Sequence, residues 1–245
     1  MKSPLPVVYF FAAAITALLP SVASKDLVSV DTATEAVNRV FAPYPKGKKE
    51  IWPISGDPRY TPVRPLQQST FASLREYFSS RQQGNVDQFL QALSDLTHAR
   101  DRLAKKLDIH EKWWPTGIDL LKVDAVLTRD LLTGRSDSPD KMNVSTPRPA
   151  DRKLEVTIQE SYTEHGQDRV LGSGHRTSLI TLIPERNRWV IAEIKTTTTD
   201  AYGETSTETL SQRLRNAIKP LRAAERDIQK IPPTLEVRKP VKMEN

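Results

Sequence analysis

The sequence predicts an α+β protein: N-terminal helices packed on a bent antiparallel sheet, with an extra helix at the C-terminal end. Three observations predict it. Apolar residues recur at helical spacing from Phe71 to Leu107. Leu154, Val156, Ile158 and Tyr162 then alternate with Glu155, Thr157, Gln159 and Ser161, the period of a half-buried strand. A last helical stripe runs through Leu210, Leu214, Ala217, Ile218, Leu221, Ala224 and Ile228.

Residues 1–24 read as a signal peptide. Lys2 supplies the positive end, and Val7 to Leu19 is an uncharged run of thirteen residues. Pro20 ends that run, and small residues at Ser21, Ala23 and Ser24 suit cleavage after Ala23 or Ser24. The competing reading, an uncleaved anchor, needs about 20 apolar residues, more than this run has. The expectation is therefore export, to a periplasm or to the outside. No cysteine is present, so disulfides, thiolate metal sites and a lipidated cysteine are excluded. Stability has to come from a buried core, for which about 220 residues suffice.

The formal charge is +6. Residues 205–245 hold nine Lys or Arg against five Asp or Glu, so the basic character is local to the C-terminal end. A basic tail can touch an anionic surface or an acidic partner, but its interleaved acids suit a solvated helix face better. Nucleic-acid binding is not expected.

Residues 25–65 comprise a short helix and an arm. Over 31–42, Thr32 and Glu35 fit a capping box, and Ala36, Val37, Val40 and Phe41 mark one face. Pro43, Pro45, Pro53, Pro58, Pro62 and Pro65 then prevent regular structure, with Ile51, Trp52 and Tyr60 expected to pin the arm down. Residues 66–204 form the predicted α+β domain. A helix carries Phe71, Leu74 and Phe78. Gly84-Asn85 is expected to break it, with Asn85 capping the next helix. Trp113-Trp114-Pro115 ends the helical region. Ile118 to Leu132 reads as a strand, and 133–151, rich in Gly, Ser, Pro and Asp, as a long loop. Thr177–Ile183 and Trp189–Thr198 are β-rich runs joined by a turn at Pro184-Glu185-Arg186-Asn187. Residues 205–231 are the C-terminal amphipathic helix, capped by Thr205 and Glu208, kinked at Pro220 and stopped by Pro232-Pro233. Residues 232–245 read as a flexible tail.

Two passages carry a family resemblance: Phe78-Ser79-Ser80-Arg81-Gln82-Gln83-Gly84-Asn85-Val86-Asp87-Gln88-Phe89-Leu90, and Ser178 through Ile194 with its Trp189-Val190-Ile191 pattern. They resemble the turn between the first two helices and the terminal hairpin of the NTF2-like superfamily, whose fold is a cone-shaped α+β (cystatin-like) arrangement. The resemblance spans roughly residues 66–200. The long helical region, the 133–151 insertion, the N-terminal arm and the C-terminal helix depart from that pattern. The family includes isomerases, dehydratases, hydrolases and many non-catalytic modules, so fold alone does not fix function. None of the enzymes' catalytic residues is matched here.

The candidate chemistry centres on Glu160. Alternation places it on the apolar face of Leu154, Val156, Ile158 and Tyr162, where a carboxylate in a pocket could serve as general acid or base. Acids are seldom buried unpaired, so the plainer expectation is that the strand leaves the sheet by 160 and Glu160 is solvated. Glu193 stands on one face with Trp189 and Ile191. Either Glu160 and Glu193 face each other as a pair or, the plainer reading, one of them pairs with Arg176 or Lys195 across neighbouring strands. Tyr162, Trp113, Trp114 and His175 are pocket candidates, the two tryptophans serving more plainly as an apolar plug. His98, His110, His165 and His175 have no metal-ligand spacing, and no phosphate loop, dinucleotide fingerprint or nucleophile elbow occurs, so no metal or cofactor is expected. Asn143-Val144-Ser145 is a glycosylation triplet only in a eukaryotic exported chain.

Two function classes follow. One is an exported non-catalytic NTF2-like module that binds a partner protein or a small apolar ligand. The stripe of its last helix is covered either by the sheet or by a second subunit. The other is a pocket enzyme of the isomerase, dehydratase or hydrolase kind, using Glu160.

Overall fold

A computed structural model describes residues 29–41, 71–107, 120–127, 131–133, 139–165 and 170–232. The expected signal peptide, the proline-rich arm, Trp113, Trp114 and the tail beyond 232 lie outside the described residues. Among the described residues four α-helices and six strands follow in the order α1 (Val30–Phe41), α2 (Ser80–Lys106), α3 (Leu120–Leu127), β1 (Lys141–Val144), β2 (Arg148–Ala150), β3 (Lys153–His165), β4 (Val170–Glu185), β5 (Arg188–Thr199), β6 (Thr205–Thr209) and α4 (Leu210–Lys230). This is the α+β class.

α1 buries Ala33, Ala36, Val37, Val40 and Phe41 on one face, as the periodicity predicts. Its start is set one turn earlier than Thr32. The Ser29 hydroxyl accepts from the Asp31 N–H at 3.2 Å, and the Ser29 carbonyl accepts from the Thr32 N–H. Thr32 and Glu35 make tertiary contacts instead of a capping box. Thr32 Oγ1 accepts from the Trp189 N–H at 3.2 Å, and Glu35 accepts from the Tyr77 hydroxyl at 3.3 Å.

Residues 71–79 are turns and a 3₁₀ segment, Arg75–Tyr77, rather than a regular helix. Phe71 and Phe78 pack with ring centroids 5.5 Å apart, and Arg75 grips Asp87 with two bonds of 2.6 and 2.7 Å. The Asp87 partner raises the Arg75 pKa. α2 is capped by Ser79, whose side chain accepts from the Gln82 N–H at 3.3 Å. It runs unbroken through Gly84-Asn85, where the sequence suggests a break. The physical reason is packing. Val86, Phe89, Leu90, Leu93 and Leu96 are all buried along one stripe, and each such side chain contributes about 1.5–3 kcal/mol. One interior glycine costs about 1 kcal/mol and is outweighed. A Cβ at Gly84 would meet nothing within 4 Å. Gly84→Ala is therefore expected to raise the unfolding free energy by about 0.5–1 kcal/mol, read as a higher denaturation midpoint.

The run from Ile118 to Leu132, expected as a strand, contains α3 and a turn at 131–133. A short apolar run does not distinguish the two by periodicity. The expected loop at 133–151 includes β1 and β2, both hydrogen-bonded to β3.

The sheet is antiparallel, in the order β1-β3-β4-β5-β6, with β2 also pairing β3. The β4–β5 hairpin turns at Arg186 and Asn187, with φ of 50° and 62°, the positive pair that a two-residue hairpin needs. Pro184 and Glu185 belong to β4, opposite Trp189 and Arg188. A bulge at Ala192 leaves Leu182 opposite Ile191 and Thr181 opposite Glu193.

Thr205–Thr209, expected as the first turn of the last helix, is β6. Its β-branched threonines suit a strand. The Thr-x-x-Gln pattern that starts α4 lies four residues later. The Thr209 side chain accepts from the Gln212 N–H at 3.2 Å, and Gln212 Oε1 accepts from the Thr209 N–H at 2.8 Å. α4 continues through Pro220 to Lys230. Its stripe (Leu210, Leu214, Ala217, Leu221, Ala224, Ile228) joins α2 and the inner sheet residues Leu154, Val156, Ile158, Ile180, Leu182, Ile191 and Ile194 in one core.

Candidate functional site

The alternation of β3 carries Glu160 onto the inner face, and it stays there. It is 3 % exposed, which corrects the expectation of a solvated residue on a departing strand. The register sets Arg176 of β4 directly opposite. Arg176 Nε donates to Glu160 Oε2, and both side chains are 1 % exposed. Arg176 Nη1 donates to the Thr133 carbonyl at 3.2 Å. Glu160 Oε1 is buried and has no hydrogen-bond partner among the described residues. Taking both charges out of water costs several kcal/mol per ion, and mutual attraction offsets this only because the two groups are in direct contact.

The polar row extends along the same face. Toward the core, Ser178 and Thr196 hydroxyls pair at 3.2 Å. In the other direction, buried Tyr162 lies across Gly174, and its hydroxyl donates to the Thr199 carbonyl at 3.1 Å. A Cβ at Gly174 would fall 2.2 Å from the Tyr162 ring, so only glycine leaves room for it.

The inner face is covered at this end. Arg213 of α4, 2 % exposed, donates from Nε to the Leu131 carbonyl at 2.8 Å and from Nη2 to the Leu132 carbonyl at 2.7 Å. Arg176 holds the next carbonyl, that of Thr133. Two arginines from different elements thus clasp three successive backbone oxygens. Leu131, Leu132 and Thr133 are all buried beneath this clasp.

Glu193 lies elsewhere. Past the end of β6 it reaches the first turn of α4, where Oε2 accepts from the Ser211 hydroxyl at 2.6 Å and Oε1 from the Ser211 N–H at 3.2 Å. A carboxylate there is favoured by the N–H groups of the helix end. Gln82 of α2 completes the junction, donating to Ser211 Oγ and to the Ala192 carbonyl, both at 2.9 Å. The bulge in β5, the start of α4 and the first turn of α2 are tied at one point. Among the described residues Glu193 contacts this junction and not Glu160. His175 is exposed on the outer face, beside Ser161 and Thr199.

On the outside, Arg222 of α4 clamps Asp95 of α2 and Glu225. Partial burial pushes the Asp95 carboxyl up, but bonds from Arg222 and Gln91 outweigh it and hold the group below the usual carboxylate range. Among the described residues no group of three or more His, Asp or Glu could hold a metal, and no helix is long and apolar enough to cross a membrane.

Sequence reading missed Arg213 and the Ser211 junction. The signal for Arg213 was present: it stands beside Leu214 and three residues after Leu210, a cation next to an apolar stripe. Long cations at such positions are assumed to snorkel outward, and this one turns inward to backbone carbonyls. Comparison of the chain with protein-family models, curated proteins and solved structures finds no match.

Proposed function

We propose that the protein is an exported, non-catalytic binding module of NTF2-like type that works by associating with a protein partner or a small ligand rather than by turning over a substrate. The observation that carries this is the closed inner face. Its carboxylate is paired with Arg176, and Arg176 and Arg213 also hold the carbonyls of the buried segment Leu131–Thr133. A general acid or base must reach a substrate proton within about 2.6–3.2 Å. Among the described residues, the hydrogen-bond partner of Glu160 is Arg176.

One observation favours the pocket enzyme of isomerase, dehydratase or hydrolase kind: Glu160 Oε1, a buried acceptor with no hydrogen-bond partner among the described residues. The arginine and the covering segment argue the other way.

Carbodiimide labelling of the folded protein, read by peptide mass, separates the two. A sealed Glu160 stays unmodified while exposed carboxylates such as Glu204 react. Labelling of Glu160 at the rate of the exposed acids would overturn the non-catalytic reading.

A further inference from the structure

The two edges of the sheet are built differently. The β1/β2 edge carries Lys141, Arg148 and Pro149, the residues that discourage strand addition. β6 has no Lys, Arg or Pro, and its one charge, Glu208, is half-buried. It is Thr-Ser-Thr-Glu-Thr, with Thr205, Ser206 and Thr207 exposed. Its backbone polarity can be worked out. The Asp200 N–H donates to the Glu204 carbonyl at 3.0 Å, so in an antiparallel ladder the alternate pairs Thr198–Ser206 and Thr196–Glu208 exchange backbone bonds. Thr205, Thr207 and Thr209 then turn their N–H groups away from β5. The Thr209 N–H indeed goes to Gln212. The intervening pairs bring side chains closest, as the hydroxyl contacts Thr197–Thr207 at 3.0 Å and Thr199–Thr205 at 3.2 Å show.

We propose that β6 is a self-association edge, at which two copies of the chain pair antiparallel about a two-fold axis at Thr207, joining two six-stranded sheets into one. The strand is self-complementary in that register. Thr207 meets its own copy, and Thr205 meets Thr209. The sheet already uses such threonine pairs between β5 and β6. Glu208 falls opposite Ser206. A register centred on Ser206 would instead set Glu204 against Glu208 on one face, and like charges directly opposite are unfavourable.

The same axis brings a second contact. The turn before β6 is held rigid by Asp200, whose Oδ1 accepts from the Tyr202 and Glu204 N–H groups, both at 2.9 Å. Tyr202 is 74 % exposed. Beside Thr207 and Glu208 lies a cleft of about 560 Å³, lined on its α4 side by Gln212, Arg215, Asn216 and Lys219. Antiparallel pairing runs the partner's turn toward that cleft, carrying an aromatic ring and acidic Glu204 to Arg215 and Lys219. An isologous contact of this kind makes both exchanges at once and closes the assembly at two.

Sedimentation velocity of the purified protein over a concentration series tests this. A dimer is expected. Thr207→Pro removes the outward N–H without touching a β5 bond, and should weaken dimerisation by at least about tenfold with the melting temperature kept. Glu204→Arg should weaken it as well, and adding Arg215→Glu should restore it. This charge exchange decides the matter even where the proline variant fails to fold. A wild-type chain that stays monomeric at about 100 µM, or a dimer indifferent to both sets of variants, overturns the proposal. Neither result bears on whether Glu160 is sealed.

Discussion

Arg176→Leu is expected to lower the unfolding free energy by about 3–5 kcal/mol, because it strands the Glu160 carboxylate in the core. One carboxylate oxygen already has no partner among the described residues, and the substitution would remove the other's. The bond from Arg176 to the Thr133 carbonyl would be lost as well. Domains of this size are stable by about 5–15 kcal/mol, so the loss is a large part of the whole. The double variant Glu160→Leu/Arg176→Leu is expected to recover most of it. Apolar replacements of buried ion pairs are often neutral, since the desolvation cost disappears together with the attraction. Urea denaturation of the wild type, both single variants and the double variant gives the coupling energy directly. A cost below about 1 kcal/mol for Arg176→Leu would mean that water reaches Glu160, since only solvated pairs are so weak. The sealed inner face would then be wrong, and the pocket-enzyme reading would regain its ground.

The same pair marks how far the sequence could be read. Alternation from Leu154 to Tyr162 puts Glu160 on the buried face, but the rarity of buried acids makes a solvated residue the plainer expectation, and that expectation is wrong. What alternation could not supply was the register across β3 and β4, and the partner depends on register alone. Glu160 and Arg176 are sixteen residues apart, and a slip of one residue would have put Arg176 outside. Cross-strand pairing with Arg176 or Lys195 was readable as a rule, but not which acid took which cation. Boundaries failed where local signals competed with packing. Gly84-Asn85 reads as a break, but α2 runs through it into the buried Phe89–Leu96 stripe. Thr205 and Glu208 mimic the helix start that Thr209 and Gln212 make. The short strands β1 and β2 have too few residues to show a period at all. The covering segment Leu131–Thr133 was the least legible feature, because what holds it is backbone carbonyl oxygen, which every residue carries. Only the arginines differ from the background, and nothing in their neighbours says that they turn inward.

Gly174 is the position at which the smallest substitution is expected to do the most harm. Its φ is not in the left-handed region, so the backbone would accept an L-residue and the cost is purely steric. A Cβ would sit 2.2 Å from Tyr162 Cζ and 2.3 Å from its hydroxyl oxygen, well inside contact distance. The Tyr162 ring has to move, and with it goes the bond to the Thr199 carbonyl. Overpacking of this kind costs about 1–3 kcal/mol. The lost hydrogen bond adds about 0.5–1.5 kcal/mol. Gly174→Ala is therefore expected to destabilise by about 2–4 kcal/mol, although alanine is ordinarily better than glycine within a strand. The diagnostic is the second variant. Tyr162→Ala alone should cost about 3–5 kcal/mol as a large-to-small core change. In that background the clash is gone, and Gly174→Ala should become neutral or slightly stabilising. Calorimetric melting of the four proteins measures this reversal of sign. Additive effects would show that the tyrosine does not lie across the glycine, and would remove the reason for a glycine in the middle of β4.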